Sequence, residues 1–291
     1  MQRGPVMLQE VIYTKNLVLE PMNVNVEALG AWRVLQGQSA LGFVLACKAD
    51  NAVALNFCLT VRSQPFQREI VRSLTDMVFL TFPCDRLETR IALRDSYLRE
   101  ALMDEGYIPG PACSVPDGDG DPVTQVPLYL SRFDWYGLET SRPFADVNVI
   151  EGETIDLHCS YILEANVEKG YVPAYCFEIA PHGELQTVGR IDLRLGYTEK
   201  TYYGGNIGYG LQQAWRGHGY AAEACRMLLP LIRRHGMKRV VITCRPDNLP
   251  SCGTCENLGA MYVRRLVLPE HTELYQKGDR EIVIYHWDVK K

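Results

Sequence analysis

Asn206-Ile-Gly-Tyr-Gly-Leu-Gln-Gln-Ala-Trp-Arg-Gly-His-Gly-Tyr-Ala-Ala-Glu-Ala-Cys225 decides how this chain is read. An alternating apolar strand runs into a loop carrying Arg216, Gly217, Gly219 and Ala221, and an amphipathic helical pattern follows at once. Backbone N–H groups and a helix N-terminus therefore converge on one spot and form an anion cradle. The two glycines let the main chain approach a bulky diphosphate without Cβ clashes. Arg216 adds a charge, and the helix dipole adds about half a positive charge at its start.

The surrounding sequence extends the pattern in both directions. Lys238-Arg-Val-Val-Ile-Thr-Cys-Arg-Pro-Asp-Asn248 reads as the next strand, followed by Asn248-x-x-Ser251 and Leu258-Gly-Ala260. Upstream, Gly170-Tyr-Val-Pro-Ala-Tyr-Cys-Phe-Glu-Ile179 and Val188-Gly-Arg-Ile-Asp-Leu193 read as two earlier strands. Strand, Arg-x-x-Gly-x-Ala and helix, with this second signature behind them, resemble the acyl-CoA-binding region of the GNAT superfamily of N-acetyltransferases. The resemblance runs in order through the C-terminal half. It implies an α/β (α+β) fold in which a mixed, mostly antiparallel sheet is flanked by helices. It also implies acetyl-CoA as cosubstrate, no metal, and direct transfer of the acetyl group to a primary amine of a small molecule or peptide.

In that family the fourth and fifth strands splay to take the pantetheine arm, and main-chain N–H groups at the strand end hold the thioester carbonyl. Carried onto this chain, the strand end is Tyr209, Gly210 and Leu211. The pantetheine and diphosphate contacts are Arg216, Gly217, His218, Gly219, Tyr220 and Ala221, while Asn248 bonds the cofactor arm with Ser251 a turn away. Two positions depart from the family pattern. The tyrosine that commonly protonates the leaving thiolate is replaced by Cys255, which becomes the expected acid. The glutamate that commonly relays the amine proton is replaced by Asn206, which cannot act as a base near neutral pH. Proton removal then falls to water or to Glu178, Asp192, Tyr202 or Tyr203. The acceptor is expected to meet loops 156–169, 197–205 and 266–277. Tyr197, Tyr202 and Tyr203 there either stack on a cation or pack the strand edge. An acyl-CoA-binding protein without turnover is the alternative function, supported by the same two departures.

The N-terminal half carries a diverged echo of this order. Residues 33–36, 40–48 and 52–61 read as short strands, and 66–82 has apolar residues at helical intervals (Ile70, Val71, Leu74, Met77, Val78). Residues 89–108 then read as strand, helix and turn, with Asp95 eleven residues before Gly106 as Asn248 is before Gly259. No glycine occurs between Gly42 and Gly106, so Ser63-Gln-Pro-Phe-Gln-Arg-Glu69 stands where a diphosphate loop belongs. Backbone cannot approach the anion there, and Glu69 would repel it. Two tandem GNAT-like domains are expected, a degenerate one over 1–146 and an acetyl-CoA-binding one over 147–291. The assembly is expected to be a monomer with pseudo-dimeric tandem domains, or a homodimer.

Composition narrows the partners. A net charge of −5, with no lysine or arginine stripe, argues against nucleic acid. The first ten residues hold no sustained apolar segment and no later run could form a membrane helix, so no membrane partner and a cytoplasmic location are expected. The ten cysteines lie scattered, many inside apolar strands, and reduced thiols are expected. Cys252-Gly-Thr-Cys255 lacks the second pair a zinc site needs. It leaves open a thiol activated at a helix N-terminus. Gly217-His-Gly-Tyr-Ala-Ala222 fits a loose dinucleotide fingerprint, but residues 212–216 separate it from its strand and several strands precede it, against a Rossmann turn. Asp117-Gly-Asp-Gly-Asp121 lacks the glycine and glutamate of a calcium loop and reads as a solvated turn.

Overall fold

The computed structural model describes residues 11–24, 28–82, 84–138 and 142–289. The first ten residues, read above as free of an apolar leader, lie outside this set. The chain divides into two compact units, Met1–Trp135 and Tyr136–Lys291.

The N-terminal unit begins with β1 (Ile12–Tyr13), β2 (Val18–Pro21), β3 (Gly30–Gln36), β4 (Ser39–Ala49) and β5 (Ala52–Leu59). It continues with α1 (Gln64–Thr81), β6 (Arg86–Ala92), α2 (Ser96–Asp104), β7 (Ile108–Pro109), β8 (Cys113–Pro116) and β9 (Pro122–Ser131). Its strands lie in the order β1-β2-β3-β4-β5-β6-β9-β7, with β8 also paired to β9. All neighbours are antiparallel except β5 and β6, which run parallel through Ala52↔Arg86, Val53↔Leu87 and Ala54↔Glu88. The crossover between them is α1, whose apolar stripe Ile70, Val71, Leu74, Met77 and Val78 is buried. The helical spacing of those residues is what turns one side of α1 to the core. The Asp117 carboxylate accepts the backbone N–H groups of Asp119 and Asp121, so the aspartate run forms a turn.

A short helix, α3 (Arg132–Tyr136), spans the junction between the units. The junction falls at Trp135/Tyr136, ahead of the expected boundary at 146/147. The reason is Tyr136, whose ring stacks on Tyr197 at 3.9 Å and whose carbonyl accepts Lys238 N–H. The segment leading to the next strand thus belongs to the C-terminal packing.

The C-terminal unit holds two sheets. β10 (Val149–Glu151), β11 (Ile155–Leu163), β12 (Ala174–Pro181), β13 (Gly189–Arg194) and β14 (Ile207–Leu211) form one antiparallel series. β15 (Arg239–Cys244), β17 (Glu281–Asp288) and β16 (Met261–Val267) follow one another in the second series. Between them run α4 (Glu199–Gly204), α5 (Tyr220–Met227), α6 (Leu229–Arg234), α7 (Leu249–Asn257) and α8 (Glu273–Gln276). One core joins Tyr175, Phe177, Ile191 and Leu193 of the first sheet to Cys225 and Ile232 of the helices and to Val240, Ile242 and Trp287 of the second. The long helical pattern breaks at Leu228, with Pro230 in the first turn of α6. Proline lacks the N–H that would continue the ladder.

β14 and β15 belong to different sheets and part after a single point of attachment. Asn206 provides it: its N–H donates to Val241 O at 2.6 Å, and its Oδ1 accepts Val241 N–H at 2.9 Å. Its Nδ2 donates to Arg194 O at 3.1 Å and Gly196 O at 2.8 Å. This fully buried amide is a staple at the mouth of a wedge between two strands.

Candidate functional site: a cleft at the strand split

The wedge opens into a cleft of about 410 Å³, walled by β14, by the loop that follows it and by α7. Of the residues carried over from the sequence, Tyr209, Gly210, Leu211, Arg216, Gly217, Gly219, Tyr220, Ala221, Asn248 and Ser251 line it. His218 does not: it is exposed, with its ring 5.6 Å from that of Tyr220. Sequence reading missed Pro250, Gly253, Thr254 and Asn257, which also line the cleft. Their signal was available in the helix period, because Asn248, Ser251 and Thr254 repeat at i, i+3, i+6 along α7.

The loop presents bare backbone. Gly217 and Gly219 sit at φ +85° and +80°, conformations that side chains resist, and a Cβ on either would meet nothing within 4 Å. Space there is open to a ligand. Gly219 is also the N-cap of α5, so the first N–H groups of that helix face the same opening. Arg216 folds its Nε back to Leu211 O at 3.0 Å, keeping the guanidinium beside the turn. Free N–H groups, a helix dipole and a cation on one concave surface suit a diphosphate, so the chain's own donors fit the coenzyme the motif implies.

The floor of the cleft is α7. Asn248 caps it, its side-chain oxygen accepting Ser251 N–H at 3.3 Å. The Ser251 hydroxyl in turn lies 2.8 Å from the Tyr209 phenol oxygen. Burial raises the Tyr209 pKa above the ordinary phenol value, against the opposing hydrogen bond from Ser251.

The expected acid is corrected here. Cys255 is 0% exposed, belongs to the hydrophobic core with Cys225 and Tyr285, and is not part of the cleft lining. Its turn of α7 sends Thr254 to the cleft and Cys255 inward. The neighbouring Cys252 Sγ lies 3.5 Å from Cys244 Sγ, and all ten cysteines are free. The described residues hold no cluster of His, Cys, Asp and Glu able to bind a metal ion. Among the alternative bases, Asp192 pairs with Arg194 Nε at 2.8 Å, and Glu178 accepts the Thr187 hydroxyl at 2.6 Å. Tyr202 accepts Arg264 Nη2, whose guanidinium also stacks over its ring at 5.1 Å. The cation that Tyr202 meets is therefore internal, while Tyr197 packs on Tyr136 and donates to Arg239 O. None of these groups lines the cleft.

Two strands of different sheets that part at Asn206, with a bare-backbone loop and a helix start beside the split, make a concave site whose donors suit an anionic ligand. Residues 146–261 match the family model of the acetyltransferase (GNAT) domain. The matched segment lies within the C-terminal unit and covers all of the cleft lining, so this part of the chain is similar to that domain. Solved structures resemble parts of it. The N-terminal domain of a ribosomal-protein-alanine acetyltransferase from Clostridium acetobutylicum is 8% identical, covers 43% of this chain and 98% of its own, and has a TM-score of 0.37. A probable GNAT-family acetyltransferase from Chromobacterium violaceum is 15% identical over 44% of this chain and 88% of its own, with a TM-score of 0.35. A ribosomal-protein-S5-alanine acetyltransferase from Vibrio fischeri is 14% identical over 36% and 63%, with a TM-score of 0.33. No curated protein matches the sequence. The likeness to the family rests on the match over residues 146–261. No helix among the described residues is long and apolar enough to cross a membrane.

Proposed function

We propose that the C-terminal unit binds acetyl-CoA in the cleft and transfers the acetyl group directly to a primary amine of a small molecule or peptide. The observation that carries this reading is the cleft itself: ten residues chosen from the acyl-CoA motif line one cavity inside the segment that matches the GNAT domain. Arg216, Gly217, Gly219 and the start of α5 would hold the diphosphate, and Asn248 the pantetheine arm. The backbone of Tyr209 to Leu211 would orient the thioester carbonyl. A bound thioester supplies an activated acyl carbon, and the residues supply alignment and charge complementarity.

The acceptor would meet the loops on the C-terminal unit that the structure ties together. Glu273 receives Lys200 Nζ and, at 3.1 Å, the Tyr171 hydroxyl, while His271 lies 2.7 Å from Glu199. The N-terminal unit would be a diverged GNAT-like copy that binds no coenzyme. Neither a nucleic acid nor a membrane is a proposed partner, the proposed location is cytoplasmic, and the chain would act as a monomer with pseudo-dimeric domains or as a homodimer.

Calorimetric titration with acetyl-CoA, followed by an amine panel scored for free thiol, tests this. Binding with amine-dependent thiol release is expected. A folded chain that binds neither CoA nor acetyl-CoA would sink the reading. A second function, acyl-CoA binding without turnover, is favoured by two observations: Asn206 is locked as a staple and Cys255 is buried, so neither usual proton-transfer position is chemically equipped. Binding without thiol release across the panel would decide for it.

A further inference from the structure

The family position for a thiolate acid is spent on a core cysteine, yet the cleft contains a phenol that no motif assigned to proton transfer. Four side chains in its lining carry a hydroxyl: Tyr209, Tyr220, Ser251 and Thr254. Serine and threonine hydroxyls are far weaker acids than a phenol, so the two tyrosines are the side chains of this lining best able to give a proton to a thiolate. Tyr220 opens α5 at the loop end of the cleft and stacks toward Trp215, with ring centroids 6.2 Å apart. Tyr209 stands on β14, immediately before the Gly210 and Leu211 amides, and reaches across the wedge to α7.

Resting on the coenzyme reading above, we infer that Tyr209 is the proton donor to the departing sulfur, positioned and recharged by Ser251. As the amine nitrogen bonds to the acetyl carbon and the carbon–sulfur bond breaks, the Tyr209 hydroxyl gives its proton to the sulfur. The phenolate regains a proton from solvent through the Ser251 hydroxyl, and the proton lost by the amine passes to solvent, so the exchange balances. The role has moved from a helix to the facing strand. Ser251 at 2.8 Å holds the phenol across the wedge. Burial keeps the phenol protonated through the neutral range, so the donor is loaded before each turnover.

The test needs no knowledge of the acceptor. The full chain is titrated calorimetrically with CoA and with desulfo-CoA at pH 7 and pH 9, the latter above the pKa of an ordinary thiol. The wild type is expected to prefer CoA by about tenfold at pH 9, because a phenol donating to a thiolate makes a charge-assisted hydrogen bond. At pH 7 the preference should be small. Tyr209→Phe should bring the pH 9 ratio to about one while still binding desulfo-CoA, which also certifies its fold. A variant that keeps the wild-type ratio overturns the inference alone. If Tyr209→Phe fails to bind desulfo-CoA, the wild type decides: a preference that does not rise between pH 7 and 9 overturns the inference. A wild-type chain that binds neither compound overturns the coenzyme reading itself and this inference with it.

Discussion

Two strand-to-helix junctions, one in each unit, differ in how much backbone they leave exposed. In both units a strand is followed by a helical connection and a further strand, and then by an N-capped helix closed by a glycine. Strand order agrees as well, with β2-β3-β4-β5 then β6-β9-β7 in one unit and β11-β12-β13-β14 then β15-β17-β16 in the other. Asp95 accepts Leu98 N–H at 3.2 Å as Asn248 accepts Ser251 N–H, and Gly106 and Gly259 both take positive φ at the helix end. The contrast lies where the crossover helix begins. α1 starts at Gln64, a few residues after β5, with proline in its first turn and the Gln67 amide folded back on Val61 O at 2.6 Å. Glu69, expected to repel an anion, is occupied by the β1–β2 turn, accepting the Thr14 hydroxyl at 2.8 Å and Asn16 N–H at 3.2 Å. In the C-terminal unit the same junction is a long loop with two glycines at positive φ and an open helix start. Topology is shared, and the exposed backbone is not.

The largest expected effect removes the staple on which the C-terminal split depends. Asn206→Ala strands Val241 N–H and the carbonyls of Arg194 and Gly196, which should cost about 3 kcal/mol, or roughly 6–12 °C in the melting temperature of that unit. Differential scanning calorimetry would show the melting temperature fall. A shift below a degree would mean that β14 and β15 are held by something else. Asn206→Asp should fare little better, since one carboxylate cannot donate to two carbonyls.

The next prediction tests whether the exposed backbone is the difference that matters. Replacing Gly217 and Gly219 together by valine puts β-branched side chains at positive φ and fills the space over the cradle, and should weaken acetyl-CoA binding at least about 100-fold. Because the other unit has no such loop, no residual binding with wild-type heat should remain. Calorimetry that still finds tight binding in this variant would locate the coenzyme elsewhere and break the comparison.

These two sites differ in how far the sequence revealed them. The glycine loop was legible because glycine, arginine and a helical period lie within six residues, and local geometry alone makes a cradle from them. The matched spacing of Asp95 with Gly106 and of Asn248 with Gly259 was legible too, and in each case it marks a helix from its capping side chain to the glycine after its end. Asn206 was read only as a missing base, because its partners come from two other segments, the end of β13 with the residues just after it (Arg194 and Gly196) and β15 (Val241). Cys255 was misread for a related reason. Its distance from Asn248 was right, but which side of α7 faces the core depends on β15 and β17 behind it, and no local pattern encodes that. Tyr136 shifted the domain junction through a ring stack on Tyr197, another contact far apart in the chain.

Acid should separate the units by a smaller margin. In the C-terminal unit the Asp156 carboxylate is buried, which alone would raise its pKa. Hydrogen bonds from Gly183 N–H, His182 and Gly152 N–H outweigh that and pull it down to about 2. A depressed folded-state value means the contribution is complete above the unfolded carboxylate pKa near 3.9 and is lost as pH falls toward 2. Asp156→Asn should therefore destabilise this unit by about 2 kcal/mol at pH 7, with the gap to wild type closing below pH 4. Urea unfolding at pH 7, 4 and 2.5 checks it, and a gap independent of pH would show that the carboxylate charge is not what holds the 152 and 183 turns.

The smallest effect belongs to the residue on which the first reading placed the chemistry. Cys255→Ala removes one sulfur from a closed core, which should cost about 1 kcal/mol of stability and leave the walls of the cleft where they are. Measured per folded molecule, thiol release from acetyl-CoA with any active amine should stay within twofold of wild type, and its pH profile should not move. A fall of tenfold or more with intact coenzyme affinity would return the acid to α7 and require the helix to turn during the reaction. Within the wedge the two candidate donors are separated by which wall carries them. A chain indifferent to Cys255 while its sulfur-specific affinity hangs on Tyr209 is one in which β14, and not α7, carries the donor.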